Sequence, residues 1–105
     1  MSANVAVLGG GAWGTAFAIH VATRTHARPR VTLYMRNAAD ARATLAVREN
    51  RRYLPGITLP AGVEITSDLT KVRADLLFAA TPVAELTTLR TSLAQAGVLG
   101  PIISL

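Results

Sequence analysis

Apolar positions fall into short runs separated by glycine, proline and polar residues, and two spacings alternate along the chain. Asn4-Val5-Ala6-Val7-Leu8 is a continuous, partly β-branched run stopped by Gly9, the pattern of a strand buried on both faces. Residues 12–24 change to helical character, with small side chains at Gly14, Ala16, Ala18 and Ala22 and bulk at Phe17, Ile19 and Val21. Thr25 to Pro29 reads as a turn and Arg30 to Met35 as a second strand. Ala38 to Asn50 carries Ala38, Ala41 and Leu45 at helical spacing and is expected to form a second helix. Pro55-Gly56 and Pro60-Ala61-Gly62 then punctuate a loop before a short third strand, Val63 to Thr66.

Ser67-Asp68 is suited to cap a brief helical turn over Leu69 to Val72, and Asp75 to Ala80 reads as the fourth strand. Thr81 is expected to cap the next helix, with Pro82 at its first position, where the missing N–H costs nothing. Val83, Leu86, Leu89 (or Arg90) and Leu93 form that helix's inward stripe, Gly97 ends it, and Pro101 to Leu105 reads as a fifth strand. Strands alternating with helices require parallel pairing through right-handed crossovers. The expected fold class is therefore α/β, a doubly wound parallel sheet of Rossmann type in three αβα layers, with residues 1–105 as one domain. Ligands in such folds bind at the carboxyl ends of the strands, so the loops after Leu8, Met35 and Ala80 should face the site. The last of these places Thr81 and Pro82 among the candidate binding residues.

The first of those loops carries the chemistry. Gly9-Gly10-Gly11-Ala12-Trp13-Gly14 fits G-x-G-x-x-G, directly after a strand and opening a helix. Gly9 permits the tight turn, Gly11 lets the backbone approach a pyrophosphate, and Gly14 lets helix and strand pack closely. The amides of the first helical turn present the positive end of the helix dipole to the phosphates. After the second strand, a carboxylate would grip the ribose 2′-hydroxyl of NAD, whereas an arginine accommodates the 2′-phosphate of NADP. Arg36 stands 22 residues beyond Gly14, is followed by Asn37, and no carboxylate appears until Asp40. The expected cofactor is NADP(H), with NAD also admissible.

Composition changes the picture only at the margins. The 105 residues are half apolar, enough for a core, and contain no cysteine, which removes disulfides, Cys-ligated metal centres and thiol catalysis and suits a reducing compartment. With only His20 and His26, a histidine metal site is not expected. The net charge of +5 comes from arginines scattered along the chain, without interleaved aromatic residues, so nucleic acid is not the expected partner. Val5 to Thr23 lacks charge and includes Ala16-Phe17-Ala18, yet nothing basic precedes it, and four glycines occupy its first half. Neither a secretory signal nor membrane insertion is expected there.

Three stretches resemble the bacterial NAD(P)-dependent glycerol-3-phosphate dehydrogenases. Val7-Leu8-Gly9-Gly10-Gly11-Ala12-Trp13-Gly14-Thr15-Ala16 is similar to that family's V-[LI]-G-A-G-x-W-G-T-A. Arg48-Glu49-Asn50-Arg51-Arg52-Tyr53-Leu54-Pro55-Gly56 looks like its N-x-x-[YF]-L-P-G element, and Ala79-Ala80-Thr81-Pro82 corresponds to its fourth-strand turn. Gly10 departs from the usual alanine without affecting phosphate binding. The resemblance implies hydride transfer between NAD(P)H and dihydroxyacetone phosphate, giving sn-glycerol 3-phosphate for phospholipid synthesis in the cytoplasm, with a homodimer an open option for the full-length protein. It implies that Ala12 and Trp13 contact the cofactor at the helix start and that Arg36 sits at the adenosine end, with Tyr53 a further contact. A large aromatic at a helix start can equally serve by packing, and Tyr53 beside Pro55-Gly56 can equally belong to a structural turn.

A ketone oxygen gathers negative charge as hydride arrives and needs a cation or proton donor beside it. The resemblance implies a lysine in a K-G element just after the fifth strand, and a later helical domain that holds the substrate phosphate. Leu105 precedes both, so a C-terminally truncated chain, inactive alone, is expected. Lys71 precedes the fourth strand, at the wrong end for the site, and Glu49, Glu64, Asp68, Asp75 and Glu85 form no convincing pair. No catalytic or metal-binding residue is assigned. Two other readings remain: an NADP-linked dehydrogenase of ketopantoate-reductase-like type, which would not be expected to carry the Tyr53-Leu54-Pro55-Gly56 element, and a non-enzymatic nucleotide- or nucleic-acid-binding domain.

Overall fold

A computed structural model of the chain describes residues 4–24, 29–81, 83–98 and 100–105. The strands are β1 (Asn4–Leu8), β2 (Arg30–Tyr34), β3 (Val63–Thr66), β4 (Leu76–Ala79) and β5 (Ile102–Ser104); the helices are α1 (Ala12–Arg24), α2 (Ala38–Val47) and α3 (Val83–Gln95). All strand pairings are parallel, and the sheet order is β3-β2-β1-β4-β5. The chain winds outward from β1 through β2 to β3, then returns to β4 on the other side and continues to β5. The winding reverses between β1 and β4.

Side chains of β1 alternate between two apolar layers. Val7 joins Val31, Leu33, Val63, Ala18 and Ala41 on one face, with Phe17 and Val21 packed against them. Ala6 and Leu8 join Leu77, Leu93, Val72 and Val98 on the other, with Leu89 alongside. Thus α1 and α2 cover one face and α3 the other, the expected three layers. On α3, Leu89 and Leu93 face inward as the stripe requires. The side chains of Val83 and Leu86 lie outside the described residues, as do Pro82, His26 and the expected turn at 25–28.

The element boundaries differ from the sequence expectation at strand and helix ends. Met35 and Ala80 fall just beyond their strands, yet Met35 N still donates to Thr66 O at 2.9 Å and Ala80 N to Leu8 O at 2.9 Å, so the ladder frays by one residue. The second helix stops at Val47 rather than at Asn50. Arg48 turns left-handed (φ 57°, ψ 39°), its carbonyl accepts from Leu59 N at 2.7 Å, and its guanidinium donates to the carbonyls of Pro60 and Val63. Contacts 11 to 15 residues away therefore end this helix, and Arg48 is a bracket for the long loop rather than a solvated surface charge.

The short turn after β3 is a 3₁₀ segment, Leu69–Lys71, and the Asp68 carboxylate accepts from Thr70 N at 2.9 Å. The Thr70 hydroxyl and amide hold the Asp68 carboxyl below its ordinary value. Thr81 does not cap α3 through its side chain, because Thr81 Oγ1 has no hydrogen-bond partner among the described residues. No helix in the described residues is long and apolar enough to cross a membrane.

Where α1 crosses β1, the approach is set by Gly14. A Cβ added there would collide with the Gly9 carbonyl oxygen and stand 3.2 Å from Ala80 Cβ. Gly14→Ala is therefore expected to destabilise the fold by roughly 3 kcal/mol, the overpacking range for a site with rigid backbone opposite it. Urea unfolding of the two forms measures this as a lower midpoint at similar slope.

Candidate functional site

A cleft of about 600 Å³ opens at the carboxyl ends of β1, β2 and β4, where the winding reverses. Its lining brings together Gly9, Gly11, Arg36, Asn37, Tyr53 and Thr81, six of the residues singled out from sequence. Gly9 has φ +125°, a conformation L side chains rarely adopt, and its N–H donates to Tyr34 O at 3.0 Å as the chain leaves the sheet. Gly11 is different. Its φ is not in the left-handed region, and an added Cβ would meet no atom of the described residues within 4 Å beyond its chain neighbours. Nothing inside the protein requires glycine there, so the open space on its outer side is what a side chain would fill.

The turn is held from behind by Asn50, which is 1% exposed. Asn50 Nδ2 donates to Gly10 O at 2.7 Å and to Thr15 Oγ1 at 2.8 Å, while its Oδ1 accepts from Tyr53 N at 3.3 Å. In a trans peptide the C=O and N–H point in opposite directions. A Gly10 carbonyl drawn inward to Asn50 therefore turns the Gly11 N–H outward, away from the protein body. Thr15 N donates to Gly11 O at 3.0 Å, so intrahelical bonding begins there, and the first-turn amides of α1 precede the first intrahelical donor. The result is a cluster of outward donors at a helix N-terminus, suited to an anion. Gly10 is itself constrained, since an added Cβ would lie 2.6 Å from Met35 Cγ, and Met35 is buried.

Ala12 and Trp13 are exposed in the first turn of α1 and do not line the cleft. Trp13 is 63% exposed and stands at the edge of an aromatic row, its ring 6.5 Å from that of Phe17, which in turn lies 4.9 Å from Phe78. Packing alone leaves most of that indole in water. Gly14 is buried beneath the turn and acts through packing. Tyr53 combines both expected roles: its amide closes the turn on Asn50, while its exposed ring lines the cleft, with the Arg52 guanidinium 5.3 Å above the ring centroid.

At the far end, Asn37 caps α2 by accepting from Asp40 N at 3.0 Å, which fixes the start of that helix beside Arg36. Arg36 is highly exposed, with Nη1 4.0 Å from Glu85 Oε1. Asp40 is paired with Arg52 at 3.2 Å. Burial pushes the Tyr34 phenol above its ordinary value, partly offset by Arg36, so it stays protonated at neutral pH. His20 is exposed on α1, and Lys71 is exposed at the end of the 3₁₀ segment.

A family model described as the N-terminus of NAD-dependent glycerol-3-phosphate dehydrogenase matches residues 4–102. The chain belongs to that family. It is 45% identical over 104 residues to a glycerol-3-phosphate dehydrogenase [NAD(P)+] of Nitrosomonas europaea, covering 97% of this chain and 30% of that protein. A glycerol-3-phosphate dehydrogenase structure from Plasmodium falciparum superposes with TM-score 0.85 at 26% identity, over 98% of this chain and 32% of that one. The fold is shared with the Coxiella burnetii enzyme at TM-score 0.76 and 20% identity, over 98% of this chain and 40% of that one. The chain thus spans about 30% of the length of the curated relatives it matches. The family resemblance read from the glycine turn, the Tyr53-Leu54-Pro55-Gly56 element and the fourth-strand turn is borne out.

Sequence reasoning gave no role to Asn50, buried behind the turn, or to Glu85, which lines the cleft. Asn50 stood inside a recognised element, and its signal was an Asn three residues before Tyr53, the spacing at which an Asn side chain can accept from the later amide. Its partners Gly10 and Thr15, 40 and 35 residues away, carried no such signal. Asn50→Ala takes a donor from the part-buried Gly10 carbonyl and the buried Thr15 hydroxyl, and the acceptor from the Tyr53 amide, and is expected to cost about 2–4 kcal/mol. Chemical denaturation checks the figure, and a loss below about 0.5 kcal/mol would contradict the bracing role.

Proposed function

We propose that this chain is the cofactor-binding portion, residues 1–105, of an oxidoreductase that transfers hydride between NAD(P)H and dihydroxyacetone phosphate, giving sn-glycerol 3-phosphate. The observation that carries the cofactor reading is Gly11: neither backbone conformation nor internal packing asks for glycine there, whereas close approach of a diphosphate does. The buried Thr81 hydroxyl, without a hydrogen-bond partner among the described residues, belongs to a residue that lines the same cleft and supports it. The printed names of the relatives include NAD(P)+, which agrees with this chemistry.

In this reading the pyrophosphate lies against Gly9 and Gly11, with the amides of Ala12 and Trp13 at the rim of the cleft directed toward it and Gly14 acting through packing. Arg36 and Asn37 flank the adenosine ribose, with Tyr53 as a flat surface beside it, and Thr81 lies toward the nicotinamide half. Pro82 is assigned to the same loop from sequence and lies outside the described residues. A bound nicotinamide dinucleotide would supply the hydride. This chain's part is to orient the dinucleotide along the carboxyl ends of β1, β2 and β4. No group that would polarise the ketone is assigned among these residues, and the groups that bind substrate phosphate are assigned to the longer protein. Phospholipid synthesis, a cytoplasmic setting and assembly of the full-length protein as a homodimer belong to the same proposal. The ketopantoate-reductase-like and nucleic-acid-binding readings are not favoured, since the family match spans the Tyr53-Leu54-Pro55-Gly56 element.

Titration calorimetry of the chain with NADPH and NADH tests the cofactor. NADPH is expected to bind about fivefold more tightly, the scale of ~1 kcal/mol for an exposed guanidinium–phosphate pair. Equal affinities would discard the role given to Arg36. Gly11→Val is expected to leave the unfolding midpoint nearly unchanged, because its side chain meets only open space, while abolishing nucleotide binding. Retained binding would show that no diphosphate sits at the turn.

A further inference from the structure

The adenosine end of the cleft is balanced in charge, not simply basic. Two guanidiniums, Arg36 and Arg52, face two carboxylates, Glu85 and Asp40. Asp40 is engaged by both contacts with Arg52 Nη1, at 3.2 and 3.3 Å, which leaves Glu85 as the anion facing Arg36. Glu85 comes from α3, on the opposite wall of the cleft from Arg36, and both residues line it. Their separation of 4.0 Å, with side chains 81% and 48% exposed, makes a loose pair that water and salt screen.

Resting on the dinucleotide reading above, we propose that Glu85 sets the discrimination between phosphorylated and unphosphorylated dinucleotides. A ribose 2′-phosphate dianion entering beside Arg36 must displace the Glu85 carboxylate and then remain near it. A ribose with a free 2′-hydroxyl brings no negative charge to that corner, so the Glu85 carboxylate does not repel it. Glu85 therefore lowers affinity for the 2′-phosphorylated ligand while leaving its counterpart nearly untouched. Arg36 supplies the attraction and Glu85 limits it, so the wild-type preference stays small. Glu85 remains favourable to the fold itself as the acidic residue in the first turn of α3, where it meets the positive helix end.

The test is a comparison of NADPH and NADH affinities in four forms: wild type, Glu85→Gln, Arg36→Ala and the double variant, at two salt concentrations. Glu85→Gln is isosteric and half-exposed, and circular dichroism confirms that each form is folded. The expected result is about three- to fivefold tighter NADPH binding in Glu85→Gln, the scale of an exposed charge pair. NADH should change by less than about twofold, and the gain should shrink in the Arg36→Ala background and at high salt. Unchanged NADPH affinity in Glu85→Gln, or an equal gain for both nucleotides, overturns the inference while the dinucleotide reading stands. Binding of neither nucleotide by the wild-type chain overturns that reading and this inference with it.

Discussion

The hydrogen bond from Asn50 Nδ2 to the Gly10 carbonyl is the constraint on which the rest of the site depends. A glycine-rich turn has little intrinsic preference for one peptide orientation, since each residue lacks the Cβ that would restrict it. Drawing one carbonyl inward, to a side chain shielded from water, removes that freedom at the peptide that matters. The same amide group engages Thr15 of α1 and receives the Tyr53 amide, so one buried residue ties the glycine turn, the helix behind it and the Tyr53 wall of the cleft into one unit.

That unit sits where it does because of the sheet. The order β3-β2-β1-β4-β5 puts β1 and β4 side by side, with their crossovers departing on opposite sides, which leaves a crevice above their carboxyl ends. The glycines of the turn divide the work. Gly9 takes the backbone out of β1 in a conformation closed to other residues, and Gly14 allows α1 to lie close against that exit. Gly11 keeps the outer surface bare. The absence of alanine at position 10 has a local cause, because Met35 occupies the space its methyl group would need.

The electrostatics of the cleft grade from one end to the other. Uncompensated backbone donors dominate at the α1 terminus, whereas charged side chains in opposed pairs dominate beside Arg36 and Arg52. An arginine after the second strand is thus an incomplete description of that end of the cleft, because a carboxylate 49 residues later on another helix stands opposite it.

Local signals were enough for most of the architecture. The limits of β1, α1 and β3 agree with the sequence expectation, because a buried parallel strand and a helix with a small-residue face each write their period into consecutive residues. The glycine turn was also legible, since its demands on conformation and close approach fall on neighbouring positions. What tertiary structure alone decided involves residues far apart in the chain. Arg48 ends α2 by reaching the carbonyls of Pro60 and Val63, Asn50 is buried against Gly10 and Thr15, and Glu85 stands opposite Arg36. None of these pairings has a period or a local preference behind it. Each exists because the fold brings segments that are distant in the chain into contact.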